Sequence, residues 1–224
     1  MNRENRPRIK ICCISSKEEA QIAIDCGASA LGLVGRMPSG PGIIDDRLIN
    51  KIARSVPPPI ATFLLTSETD AISIIQHYQA VNTTTIQMVD SLTDKGYRKI
   101  KMQLPHVKLV QVIHVIDDDS VTEAIHVSKY VDAVLLDSGN PNLDVKELGG
   151  TGRTHNWELS KTIREKLEIP TFLAGGISAD NVERAMKTVS PFGLDLCSSV
   201  RTAGKLDKHK LQAFFQAIEK AINF

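Results

Sequence analysis

Net charge is almost absent from this chain. Its 224 residues carry 27 lysines and arginines against 26 aspartates and glutamates, a formal charge of +1. That leaves no basic field to attract nucleic acid and no acidic tail. Long apolar runs are missing as well, and no segment approaches the ~20 apolar residues that a membrane span needs. The first residues, Met1-Asn2-Arg3-Glu4-Asn5-Arg6-Pro7, lack the apolar core of a signal peptide. Cysteine is scarce, and Cys12, Cys13, Cys26 and Cys197 are spaced neither as metal ligands nor as a disulfide framework. The histidines, at 77, 106, 114, 126, 155 and 209, form no i,i+4 metal pair. The expectation is a protein of the reduced cytoplasm with no metal, membrane or nucleic-acid partner.

What is present is regular alternation. Hydrophobic residues make up 42% of the chain, enough for a substantial core. Short β-rich runs fall near 8–14, 29–35, 59–65, 84–89, 107–114, 131–136, 170–174 and 192–197, with helical periodicity between them. Ser16 and Glu19 stand in capping-box spacing before Ala20, Ala23 and Ile24. Ser178 is the expected N-cap of a stripe formed by Val182, Ala185, Met186 and Val189. Leu211, Phe214, Phe215, Ile218 and Ile222 make the last stripe. Eight strand–helix units in ~220–250 residues match a compact (β/α)8 TIM barrel. An open doubly wound sheet uses the same alternation. The count of units, and the lack of an early glycine-rich dinucleotide fingerprint, favour the closed form. No linker or repeat interrupts it, so residues 1–224 are expected to form a single domain.

In such a barrel, chemistry collects where the strands end. The first strand ends in Arg8-Ile9-Lys10-Ile11-Cys12 and the sixth in Val134-Leu135-Leu136-Asp137. A carboxylate closing a buried strand is costly without a partner or a task, and a partly dry setting raises its pKa toward neutrality. Cysteine in an apolar strand is either inert core or, as thiolate, a base or nucleophile. Alternation along a strand puts Cys12 and Cys13 on opposite sides, so at most one faces the interior. Two late strand ends suit a phosphate. Gly175 and Gly176 let the backbone approach it closely, and Cys197, Ser198 and Ser199 follow the eighth strand. The long irregular stretch 137–156 contains Gly149-Gly150-Thr151-Gly152, either further backbone donors or a flexible lid. His114 and His155 either face the pocket or serve the packing, and Trp157 is expected to pack the start of its helix.

These segments resemble the phosphoribosylanthranilate isomerase family nearly end to end. Lys10-Ile11-Cys12 resembles its opening Lys-Ile-Cys-Gly. Leu135-Leu136-Asp137, then Gly149-Gly150-Thr151-Gly152-Arg153-Thr154 and Trp157, resemble its Leu-Leu-Asp and Gly-Gly-Thr-Gly-Lys-Thr-Phe-Asp-Trp. Phe172-Leu173-Ala174-Gly175-Gly176, with Asn181-Val182 and Asp195 through Val200, resembles its two phosphate-binding segments. The resemblance implies a cofactor-free Amadori rearrangement of N-(5-phosphoribosyl)anthranilate; barrels of this size occur as monomers and homodimers. It implies Asp137 as general acid and Cys12 as general base. It also implies phosphate binding by Gly175, Gly176, Cys197, Ser198 and Ser199, with Gly150, Thr151, Gly152 and Asp195 contacting substrate.

The chain departs from the family pattern in its early loops. Cys13 replaces the glycine after the cysteine. Ser39-Gly40-Pro41-Gly42 replaces Ser-Pro-Arg-Tyr, so Pro41 stands where the family's carboxylate-binding arginine is expected. Gln87-Met88-Val89-Asp90 replaces Gln-Leu-His-Gly. Arg36, in the same loop as Pro41, is either a relocated partner for the substrate carboxylate or a solvated charge. Two alternatives therefore stand beside the family reaction: an isomerase of a different phosphosugar adduct, and a barrel that binds a phosphorylated metabolite without turnover.

Overall fold

The computed structural model describes residues 6–139 and 154–223. Among them, eight parallel strands run in sequence order round a closed barrel. They are β1 (Arg8–Ile11), β2 (Ala30–Val34), β3 (Ala61–Thr66), β4 (Thr85–Met88), β5 (Lys108–His114), β6 (Ala133–Asp137), β7 (Thr171–Leu173) and β8 (Gly193–Leu196). A helix follows each one: α1 (Lys17–Asp25), α2 (Asp46–Ala53), α3 (Ala71–Val81), α4 (Asp94–Gln103), α5 (Asp119–Val127), α6 (Trp157–Lys166), α7 (Val182–Val189) and α8 (Lys208–Asn223). Closure excludes the open doubly wound sheet. β1 pairs with β2 on one side and with β8 on the other, where Arg8 faces Gly193 and Lys10 faces Asp195.

The helical stripes bury as their periodicity requires. Val182, Ala185, Met186 and Val189 are buried against the barrel, as are Leu211, Phe214, Phe215 and Ile218. Ser178, by contrast, is not the cap of α7. That helix starts at Val182, and Asn181 closes the preceding turn instead, accepting from Ser178 N at 2.9 Å and donating to Gly176 O at 2.8 Å. At α1, Ser16 does cap, accepting from Glu19 N at 3.1 Å. Glu19 itself reaches past Ser16 to take the N–H groups of Ser15 and Leu206, at 2.9 and 2.8 Å.

Strand alternation divides the core in two. Ile9, Ile11, Leu31, Leu33, Leu194 and Leu196 pack outward against the helices. Ala30, Phe63, Leu65, Val110, Val112, Leu135 and Phe172 fill the interior. Into that apolar interior project Lys10 and Asp195, Nζ to Oδ2 2.8 Å, their side chains 0% and 8% exposed. Lys10 Nζ also lies 5.4 Å from the centre of the Phe63 ring, a cation–π contact.

The seam between β8 and β1 is tied a second time outside the barrel. After β8 come a 3-10 turn, Ser198–Val200, and a hairpin of β9 (Arg201–Thr202) and β10 (Lys205–Leu206). Arg201 pairs with Glu19 at 3.2 Å, both side chains nearly buried, and donates to the carbonyls of Cys12 and Cys13. The carboxylate is held below its usual range: burial alone would raise it, but the Leu206 and Ser15 N–H groups and Arg201 outweigh that. Removing one member of such a pair strands the other charge. Glu19→Ala should therefore lower the unfolding free energy by about 3 kcal/mol, read as a fall in the urea midpoint at constant m-value.

Candidate active site

The strands converge on a cavity open to solvent at their C-terminal ends. Cys12 and Cys13 enter it from the end of β1, Gln87 from β4 and Asp137 from β6. Gly175, Gly176, Asp195, Cys197, Ser198 and Ser199 line the rim where β7 and β8 end, beside β1. This mixed apolar and polar lining is that of a small-molecule site.

Both cysteines face this cavity, which corrects the expectation drawn from alternation. β1 ends at Ile11, and Cys13 adopts φ 62°, in the left-handed region. That turn reverses the side-chain direction that an extended strand would impose. A non-glycine residue there carries about 1 kcal/mol of strain. Beneath Cys12, a Cβ on Gly32 would lie 2.9 Å from its Sγ and 3.1 Å from Lys10 Nζ, so no larger residue fits. A glycine inside a buried strand is the sequence signal that could have found Gly32.

Asp137 is buried, and Ser138 N donates to its Oδ1 at 2.8 Å. Burial pushes its pKa up to about 6, and the charge of nearby Asp195 adds to this against the Ser138 N–H and Lys10. Asp195 is also raised by burial, although Lys10 opposes the shift. Burial alone would lower the Lys10 pKa, but Asp195 and the neighbouring thiols carry it upward instead. Asp195 Oδ1 and Gln87 Oε1 are buried acceptors without a donor among the described residues. Sequence reasoning had marked Gln87 solely as part of an altered strand.

The segments after β7 and β8 line the cavity together. Gly175 and Gly176 have φ 74° and 64°, and a Cβ on Gly175 would lie 2.7 Å from Ser138 Oγ. Cys197 begins the 3-10 turn that carries Ser198 and Ser199 beside them. Gly150, Thr151 and Gly152 lie outside the described residues. Arg36 is exposed and lines a separate outer cavity with Asp45, Asp46, Arg47 and Glu68. Met37, Ser39, Gly40 and Pro41 of the same loop line the central cavity instead. His114 borders a neighbouring shallow cavity, its Nε2 3.3 Å from Val89 O. His155 is bonded to Ser160 at 2.6 Å, and burial lowers its pKa to about 4. Trp157 is buried at the start of α6, under the Arg184 guanidinium at 4.8 Å.

Residues 9–217 match the family model of N-(5'-phosphoribosyl)anthranilate (PRA) isomerase. The chain belongs to the PRA isomerase family. N-(5'-phosphoribosyl)anthranilate isomerase 2 of Methanosarcina mazei is 33% identical over 209 residues, covering 92% of each chain. The enzyme of that name from Nostoc punctiforme is 31% identical over 213 residues, 94% of this chain and 98% of that one. The barrel is similar in fold to phosphoribosyl anthranilate isomerase from Thermotoga maritima, with a TM-score of 0.82, 24% identity and coverage of 96% and 99%. A phosphoribosyl anthranilate isomerase solved with reduced 1-(o-carboxyphenylamino)-1-deoxyribulose 5-phosphate gives 0.79 at 22% identity, with the same coverage.

Two departures from the family pattern turn out to be one structural feature. Cys13 stands where the family has glycine, yet keeps a glycine-like φ. Its side chain occupies the space that Gly42 leaves open: a Cβ on Gly42 would lie 2.5 Å from Cys13 Cβ and 3.1 Å from its Sγ. The thiol also contacts Pro41 O at 3.4 Å, which docks the loop after β2 onto the end of β1. Gly42→Ala, at φ 75° and with that contact, should cost about 2 kcal/mol. In a Cys13→Gly background the loss should shrink by about 1 kcal/mol, measured as the coupling in a denaturation double-mutant cycle.

Proposed function

We propose that this chain catalyses the Amadori rearrangement of N-(5-phosphoribosyl)anthranilate, in the cytoplasm, as a monomer or homodimer and without a cofactor. The observation that carries the reading is one cavity, in a member of this family, lined by Cys12, Asp137 and two glycine- and serine-rich rims. The rims supply backbone amides and hydroxyls for a phosphate, as in many barrels after strands seven and eight. Asp195 Oδ1 and Gln87 Oε1 are acceptors for sugar hydroxyls.

Asp137, protonated below about pH 6, gives its proton to the ribose ring oxygen, and the C1–O bond breaks to leave an open-chain iminium. The cationic imine acidifies C2. Cys12, as thiolate, takes the C2 proton, and the electron pair moves to form an enolamine. Tautomerisation of that enolamine gives the ketose, 1-(o-carboxyphenylamino)-1-deoxyribulose 5-phosphate. Lys10 lies beneath Cys12, its charge met by Asp195.

Val34, Met37, Pro41 and Leu65 give an aromatic ring an apolar wall. Among the described lining residues there is no arginine, lysine or histidine for an anthranilate carboxylate. That observation favours, as a second reading, an isomerase for another phosphosugar amine. Turnover of freshly prepared N-(5-phosphoribosyl)anthranilate, followed by loss of its fluorescence, separates the two. Rapid loss supports the first reading, and no loss above background rejects it.

Cys12→Ser and Asp137→Asn should each lower kcat about a thousandfold while binding of inorganic phosphate is retained. Near-wild-type turnover in either variant would remove that residue from the scheme. The pH profile of kcat/KM should carry an inflection near pH 6 from Asp137, where loss of the acid's proton begins to oppose the gain of thiolate at Cys12. The folded Asp137 holds its proton to higher pH than an unfolded carboxylate does. Its contribution to stability therefore declines as pH rises through the same window, a decline that Asp137→Asn should abolish.

A further inference from the structure

Two thiols at the cavity have no part in this acid–base scheme. Cys13 follows the proposed base, and Cys197 follows β8, where it opens the 3-10 turn of the phosphate rim. Separated by 184 residues in sequence, their sulfurs lie 2.9 Å apart, and both are free. A disulfide needs ~2.05 Å, so roughly 0.9 Å of sulfur movement would join them. We propose that Cys13 and Cys197 form a reversible disulfide under peroxide, stapling the end of β1 to the turn after β8 inside the cavity.

The surroundings set the order of events. Cys197 is half-buried and lines the cavity, so an oxidant entering from solvent meets it first. Its thiol is held below the usual range, by its hydrogen bond with Cys13 and then by the Arg201 charge, against burial. Cys13 is buried behind it, and its hydrogen bonds with Cys12 and Cys197, together with burial, push its thiol upward. Cys197 thiolate therefore attacks the peroxide. The O–O bond breaks, the sulfur becomes a sulfenic acid, and the departing hydroxide takes a proton to become water. Cys13 then loses its proton and attacks the sulfenic sulfur, and the second hydroxide leaves as water with that proton. Two thiols and one hydrogen peroxide give one disulfide and two waters.

Cys12 is a poor competitor. Its Cα is one peptide from that of Cys13, ~3.8 Å, closer than the 4.4–6.8 Å that disulfides usually span. Cys26 lies apart from this cluster, at the C-cap of α1. The functional consequence rests on the isomerase reading. The bond would shift the phosphate rim and the peptide beside Cys12 by a good fraction of 1 Å, and misplacement on that scale costs up to ~10²-fold in rate.

The test is to treat the full chain with excess hydrogen peroxide, denature it without reductant, alkylate the remaining thiols and map the peptides by mass. The expected result is loss of two of the four thiols, a mass lower by two hydrogens, and recovery of all four with dithiothreitol. Cys12→Ser should keep the cross-link, whereas Cys13→Gly, which suits the left-handed φ, should abolish it. An unchanged thiol count, a cross-link that requires Cys12 or Cys26, or oxidation of Cys197 to a sulfinic acid without cross-linking would each overturn the proposal. Activity is a separate arm. Turnover should fall at least tenfold with the cross-link and return with dithiothreitol. A cross-linked chain that never isomerised the substrate would sink the functional reading and leave the disulfide standing.

Discussion

The ion pair between Lys10 and Asp195 is the constraint on which the rest of the site depends. It sits across the seam where β8 closes onto β1, and both partners are buried inside the barrel. Two charges taken out of water are stabilising there solely because each has the other, so the register of the closing strands is bound to their meeting. The same pair sets the electrostatics above it. Lys10 lies below Cys12, and the charge of Asp195 adds to the burial that pushes the Asp137 pKa upward, while Lys10 opposes it. The pair thus adds to the field around Asp137 that burial has already made unfavourable to its charge.

The upper end of β1 shows how a local departure can be absorbed by its surroundings. Placing Cys13 where a glycine suits the backbone costs strain, and it fills space that only another glycine, Gly42, can leave open. The thiol then contacts Pro41 O on one side and Cys197 on the other. Arg201 holds the carbonyls of Cys12 and Cys13 from the outside, with its own charge met by Glu19. Three segments distant in sequence therefore share one small junction. The loop that carries Pro41 is docked as a wall of the cavity, while Arg36, five residues earlier, is turned to solvent.

Much of this architecture was legible in the chain. Eight β-rich runs alternating with helical segments, and the helical stripes at 182–189 and 211–222, follow from period alone, because burial of one face imposes that period on the residues. Asp137 stood out for a similar reason, since a carboxylate closing Val134-Leu135-Leu136 is expensive unless it has a function. Gly175 and Gly176 were conspicuous as paired glycines at a strand end. Ser178 misled because a hydroxyl before an apolar stripe is a cap only if the turn between them is helical, and Asn181 bonds that turn closed instead.

By itself, then, the sequence determined the class of fold, its family, and the strand ends at which chemistry could collect. These depend on interactions between near neighbours, or on patterns repeated along the chain. The tertiary structure alone decided that Cys12 and Cys13 face the same cavity, because one backbone angle at Cys13 overrides strand alternation. It alone decided that Arg36 lies outside the central cavity and that Cys197 meets Cys13. The last of these depends on closure of β8 onto β1, which joins residues nearly the whole chain apart, and no local pattern encodes which side chains such a closure brings into contact.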